Sequence, residues 1–123
     1  MKILQRKVNK YREAFKAMYK TVMYEGNIKT HMILWFAGSV LAYQTGELWF
    51  VRQTFFLGFA VVILEFINTV FEDVCDFMEP KWNEQIKHIK DLSAGIVILV
   101  GWVAVLLTVE DLLDIYDVWG RIL

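Results

Sequence analysis

The chain holds a single cysteine and a single proline. The lone thiol, Cys75, excludes an internal disulfide and leaves no spacing for a cysteine-based metal finger. The one proline, Pro80, falls in a polar connection, where it suits the end of a helix. Net charge is only -1, so bulk charge selects no partner. Internal repeats and low-complexity segments are absent. The N-terminal stretch has no apolar core followed by a small-residue cleavage site, so no cleavable signal peptide is expected there.

Hydrophobic residues, in contrast, make up 57% of the 123 positions, and the mean hydropathy is positive. A soluble domain of this length cannot bury so much apolar surface, because small domains leave a large share of their area exposed. The excess lies in long blocks with charges gathered between them, the layout of an integral membrane protein. At this length a single domain is expected, without a separate catalytic module.

The charges are unevenly placed. Lys2, Arg6, Lys7, Lys10, Arg12, Lys16, Lys20 and Lys29 crowd the N-terminal part, and Glu110, Asp111, Asp114 and Asp117 form an acidic tail. A basic stretch against a membrane suits anionic head groups, at roughly 1 kcal/mol per well-placed cation. With no soluble domain, nucleic acid is not expected as a partner.

Between about residues 6 and 24 the apolar side chains Val8, Tyr11, Phe15, Met18, Tyr19 and Val22 recur at three- and four-residue steps, opposite a lysine-rich face. This predicts an amphipathic helix lying in the membrane surface. The first apolar block, Met32 to Tyr43, reaches spanning length only when extended to about 28–49, since a span needs roughly 20 residues. A brief turn at Thr45-Gly46 makes the next helix its antiparallel neighbour. Further spans are expected over about 52–76 and 90–110, followed by the tail 110–123. The excess of Lys and Arg before the first span and between the second and third predicts a cytoplasmic N-terminus. Trp35, Tyr43, Trp49, Trp82 and Trp119 read as interfacial anchors. Gly58 and Gly101 read as points of close helix approach. Asp73, Glu79 and His88 are expected to be solvated, and His31, beside Asn27, to be an interfacial side chain.

The chemistry concentrates in one stretch. On a helix, Glu65, Asn68, Thr69, Glu72 and Asp76 share one narrow face and form a polar stripe about 16 Å long. A carboxylate within a span costs on the order of 3 kcal/mol, so these groups should face a protein interior or a wet cavity, with a compensating cation. Mg²⁺ suits that role, because it often bridges one or two carboxylates to phosphate oxygens. Glu72 and Glu25 are the candidate metal ligands. Lys90-Asp91 open the last span, where a lysine can meet a polyphosphate and an aspartate can bind a nucleotide group or a lysine. The pattern suits phosphoryl transfer, in which positioning and charge neutralisation do most of the catalytic work.

At these residues the chain resembles the prokaryotic diacylglycerol kinase family, which includes undecaprenol kinases. The family signature of Glu, aliphatic, Asn, Ser/Thr, Glu and Asp is met in register by Glu65, Ile67, Asn68, Thr69, Glu72 and Asp76, with Lys90-Asp91 at the family's spacing and Glu25 upstream. The resemblance runs from about Arg6 to Val109. It implies an all-α integral membrane protein of the bacterial inner membrane, with a surface helix and three spans, assembled as a homotrimer with sites between subunits. It further implies ATP-dependent phosphorylation of a lipid alcohol, diacylglycerol or undecaprenol. Glu65 would be the general base and Glu25 and Glu72 the Mg²⁺ ligands. Asn68, Asp76, Asn83, Glu84, Lys90 and Asp91 would arrange ATP. Glu25-Gly26-Asn27 followed by His31 resembles the undecaprenol branch more closely. Val70, Phe71, Cys75 and Trp82-Asn83 depart from the pattern, the last pair standing where the family often has Tyr-His.

Three other readings compete. Glu65 could be a structural acid hydrogen-bonded to Asn68. Alternatively, Glu65, Glu72 and Asp76 could line a cation path in a small non-enzymatic channel or carrier, or the chain could be a scaffold that has lost catalysis.

Overall fold

The computed structural model describes residues 1–117 and 120–121. The anchor expected at Trp119 lies outside the described residues. Helices are the only regular structure among them: α1 (Lys2–Tyr24), α2 (Gly26–Gln44), α3 (Leu48–Met78) and α4 (Glu84–Ile115).

Helix α1 has no proline or glycine to interrupt it and starts four residues before the expected boundary. None of its residues is buried; the apolar side chains Tyr11, Phe15 and Tyr19 all stay exposed. Among the described residues its closest helix contact is with α2. Glu25 alone separates the two helices, in an extended conformation with φ -99° and ψ 105°. Its N–H closes α1 on the Thr21 carbonyl and its own carbonyl opens α2. Glu25 is therefore a corner residue, fixed by backbone bonds on both sides.

Two helices, α3 and α4, are long and apolar enough to cross a membrane. Helix α2 has the length but not the composition, because Asn27, Lys29, Thr30 and His31 fill its first turns. It also ends at Gln44 rather than near 49. Gly46 takes φ +77°, a left-handed conformation that glycine adopts at little cost, and Trp49 belongs to the first turn of α3. The last helix runs on through the first part of the acidic tail to Ile115. It stops where Asp117 turns to φ 50°.

Three stripes with three- and four-residue spacing bring α2, α3 and α4 together. On α2 the stripe is Ile28, His31, Trp35, Gly38 and Ala42, with Ile28 and Ala42 fully buried. On α3 it runs Phe50, Thr54, Gly58, Val61, Glu65 and Asn68, and this helix packs against both of the others. On α4 the inward positions are small: Ala94, Val97, Gly101, Ala104 and Thr108. Small side chains facing two glycines leave space between the helices, and there the structure has a cavity of about 500 Å³.

The glycines divide by role. A Cβ on Gly58 would lie 2.2 Å from Trp35 Cδ1, so the indole of Trp35 rests directly on the backbone of α3. Trp35 Nε1 donates to the Phe55 carbonyl at 2.9 Å, and its ring packs against Phe55 and Phe59. Trp35 thus joins α2 to α3, where an interfacial anchor was expected. Gly101 has no side chain or backbone near its Cβ direction and lines the cavity.

Candidate functional site

The polar stripe of α3 changes character along its length. Glu65, Asn68 and Thr69 are buried, at 8%, 7% and 6% exposure. Glu72 is half-buried and Asp76 is exposed. At about 1.5 Å rise per residue, the 31 residues of α3 extend about 46 Å, well beyond a hydrocarbon layer of ~30 Å. The gradient therefore carries carboxyl groups from the packed interior to the polar end of the helix.

At the inner end, Glu65 lines the cavity together with His31. The remaining wall is mostly apolar, with Trp35, Val61, Trp102 and Val105 among its members. His31 Nδ1 lies 3.8 Å from Glu65 Oε1 and 2.7 Å from the Asn27 carbonyl. The interfacial position expected for His31 is thus replaced by a place facing the buried acid. Thr69 Oγ1 bonds the Glu65 backbone carbonyl at 3.0 Å, a back-bond that satisfies the hydroxyl inside the helix.

In the middle of the stripe, Asn68 Nδ2 donates to Glu72 Oε1 at 3.1 Å. The amide therefore orients Glu72 and not Glu65, and the Glu65–Asn68 hydrogen bond of the structural reading is not among the described contacts. Asn68 Oδ1 is buried with no hydrogen-bond partner among the described residues, an arrangement that costs about 1–3 kcal/mol when nothing satisfies it.

At the outer end, Lys90 Nζ reaches across from α4 to Asp76 Oδ1 at 2.7 Å. One turn of α4 away, Lys87 Nζ pairs with Asp91 Oδ2 at 2.6 Å. Two cations and two carboxylates thus sit together where α3 and α4 meet water. Asn83 begins α4: its Oδ1 accepts from the N–H groups of Gln85 and Ile86 at 2.9 and 3.2 Å. This cap satisfies two of the helix's otherwise unpaired donors. Glu84 occupies the first turn, where the positive end of the helix dipole favours an acid. Sequence reasoning assigned Asn83 to the nucleotide and missed the cap. The signal was available in an asparagine followed by Glu84, three residues after Pro80.

Glu25 stands at the α1–α2 corner, half-buried. Among the described residues no group of three or more His, Cys, Asp or Glu gathers as a metal cluster. Mg²⁺ does not need one, since it is commonly held by one or two carboxylates plus phosphate oxygens. The hard oxygen donors of Glu72 and Glu25, with the unpartnered Asn68 Oδ1 beside Glu72, are of the chemistry that this ion takes.

The fold and site define a helical membrane protein in which a buried acid, an amide-held carboxylate and a lysine–aspartate pair follow one another along one helix. The family model Prokaryotic diacylglycerol kinase matches residues 12–110. This covers most of the chain, including every candidate residue named above, and the chain belongs to that family of membrane lipid kinases. No curated protein and no solved structure matches it.

Proposed function

We propose that this protein transfers the γ-phosphoryl group of ATP to the hydroxyl of a membrane lipid alcohol, undecaprenol or diacylglycerol, in a Mg²⁺-dependent reaction at the cytoplasmic face of the bacterial inner membrane. The observation that carries the reading is the placement of Glu65. Its carboxyl group is buried at the end of an apolar cavity, at the start of a polar stripe that leads to Glu72 and Lys90. A lipid hydroxyl would approach from the apolar side and a nucleotide from the polar side.

Glu65 accepts the hydroxyl proton as the oxygen bonds to the γ-phosphorus, while the bond from that phosphorus to the bridging oxygen breaks and ADP leaves with its electron pair. General bases of this kind contribute about 10²–10⁴-fold. Glu72, held by Asn68, and Glu25, held at its corner, would bind Mg²⁺, which would neutralise phosphate charge as the group transfers. Lys90 leaves Asp76 to meet the polyphosphate, and Asp76 and Asp91, with Asn68, Asn83 and Glu84, arrange the nucleotide. Asn83 retains its amide N–H₂ for that contact while its oxygen caps α4.

In this reading α2 is a third span. Its 19 residues extend about 28 Å at 1.5 Å per residue, close to the ~30 Å of a bilayer core. Its polar first turns lie at the cytoplasmic surface beside the basic α1, which rests on anionic head groups. The long apolar exposure of α4 supports a homotrimer with sites between subunits, and the His31 pattern favours undecaprenol. The test is phosphate transfer from radiolabelled Mg²⁺-ATP to a panel of lipid alcohols by the purified protein in bicelles. Labelling of a polyprenol above diacylglycerol is the expected result. A chain that labels no lipid alcohol, and that binds no nucleotide, removes the kinase reading.

A further inference from the structure

Glu65 is buried among helices, yet no hydrogen bond reaches its carboxyl group among the described residues. The basic side chain within ion-pair distance is His31, across the α2–α3 interface. A second contact fixes that imidazole. A carbonyl oxygen can only accept, so the 2.7 Å approach of Nδ1 to the Asn27 carbonyl puts a proton on Nδ1. That single Nδ1–H is directed at the Asn27 carbonyl, one turn back on the same helix, and Nδ1 is also the ring atom close to Glu65. The separation of 3.8 Å from Oε1 is too long for a hydrogen bond. A rotation that turns the Nδ1–H from the Asn27 carbonyl to the carboxylate would close it.

From this geometry we infer that His31 is a positioning residue for Glu65: its Nδ1–H, turned from the Asn27 carbonyl to the carboxylate, gives Glu65 a donor from the neighbouring helix and orients it towards the cavity. The inference rests on the kinase reading above. A base oriented by a further group is the usual construction around an acid–base pair. In a low-dielectric setting one such contact has more weight than it has in water. The surroundings leave His31 without a substitute. The residues that α4 contributes to the cavity wall, between Val97 and Val109, carry no charge. Along α3 the nearest acid is Glu72, two turns on and already engaged by Asn68.

The test compares wild type, His31→Phe and His31→Gln in steady-state phosphorylation of a polyprenol and of diacylglycerol with Mg²⁺-ATP. Phenylalanine keeps the ring's bulk and removes the donor, while glutamine keeps an N–H group of similar reach. The expected result is a fall in kcat of about tenfold or more for His31→Phe, with the KM for ATP unchanged and with kcat largely recovered in His31→Gln. On a Glu65→Gln background, His31→Phe should add no further loss. Equal kcat in wild type and His31→Phe would overturn the inference. So would a matching loss in both variants with a raised KM for ATP, which is the signature of a general packing role. A wild-type chain that labels no lipid alcohol removes the kinase reading and this inference with it. Wild-type activity with an indifferent His31→Phe removes this inference alone.

Discussion

Helices α3 and α4 are nearly equal in length, at 31 and 32 residues, and both are apolar enough to cross a membrane. They nevertheless do different things. A third of the apolar window of α3 is buried within the protein, against 6% of that of α4. Helix α3 uses its burial to enclose Glu65, Asn68 and Thr69 within the protein. Helix α4 buries Val97 and turns Leu99, Leu106 and other large apolar side chains outward. A polar group in hydrocarbon is costly unless it faces protein, so the helix with the polar stripe must be the central one. The helix without such a stripe is free to face the bilayer or a second copy. The contrast separates the helix to which the proposed chemistry falls from one that supplies a wall and a cation.

If that division holds, the largest effect belongs to the inner end of the stripe. Glu65→Gln keeps the shape of the side chain and removes the proton acceptor. Lipid phosphorylation should drop by about 10²–10⁴-fold, while the thermal midpoint stays at or above that of wild type, since an amide is cheaper to bury than a carboxylate. Phosphate transfer and a melt in detergent measure the two quantities. Turnover within a few-fold of wild type would mean that the buried acid of α3 is structural.

The next effect tests the cation that α4 lends. Lys90→Met leaves Asp76 without its partner at 2.7 Å and removes the charge proposed for the polyphosphate. Loss of one such electrostatic contact typically costs about 10²–10³-fold, and here it should appear partly as a raised KM for ATP. Both groups of the pair are at the surface, so stability should change little. A variant that loses stability but keeps ATP affinity would recast Lys90 as a clasp between helices.

These residues also show which parts of the molecule can be read from sequence. The stripe at 65–76 is legible because periodicity alone puts the five side chains on one face, and the gradient from buried Glu65 to exposed Asp76 follows from the helix outrunning the apolar layer. The amphipathic α1 and the break at Gly46 are legible for the same local reasons. Partners across helices are not. Lys90 is paired with Asp76 in the structure, 14 residues away in sequence, and His31 faces Glu65 across 34 positions. Nothing in local pattern distinguishes such a histidine from an interfacial one. Trp35 misleads in the same way: a tryptophan near a block end is usually an anchor, but here Gly58, 23 residues further on, opens the seat it fills. The cavity left a fainter trace, in the small residues spaced along α4.

That seat gives a test of intermediate size. Gly58→Ala would bring a methyl group to 2.2 Å from Trp35 Cδ1, so the indole must move or the helices must part. Overpacking of this kind costs about 1–3 kcal/mol, read as a lower midpoint in denaturant. Part of the loss should return when Trp35→Leu is added. The double variant regains room on α3 but forfeits the Trp35–Phe55 hydrogen bond, so recovery should be incomplete. Full additivity of the two substitutions would mean that the α2–α3 contact at this level is loose.

The smallest effect is expected at the far end of α4, beyond the residues matched by the family. There Gln53 Nε2 donates to Asp111 Oδ2, a bond between α3 and α4 on the side away from Lys90. Asp111→Ala removes the acceptor. Hydrogen bonds to charged groups reach about 1.5–3 kcal/mol, but this one is only half-buried and its donor can turn to water, so about 1 kcal/mol is expected. Lipid phosphorylation should be unchanged, because α4 is held independently along its length by the packing of Val97 and the small residues in its stripe. A large loss of activity from this one substitution would break the division between the two helices, since it would show that the outer wall transmits its position to the acid at the centre.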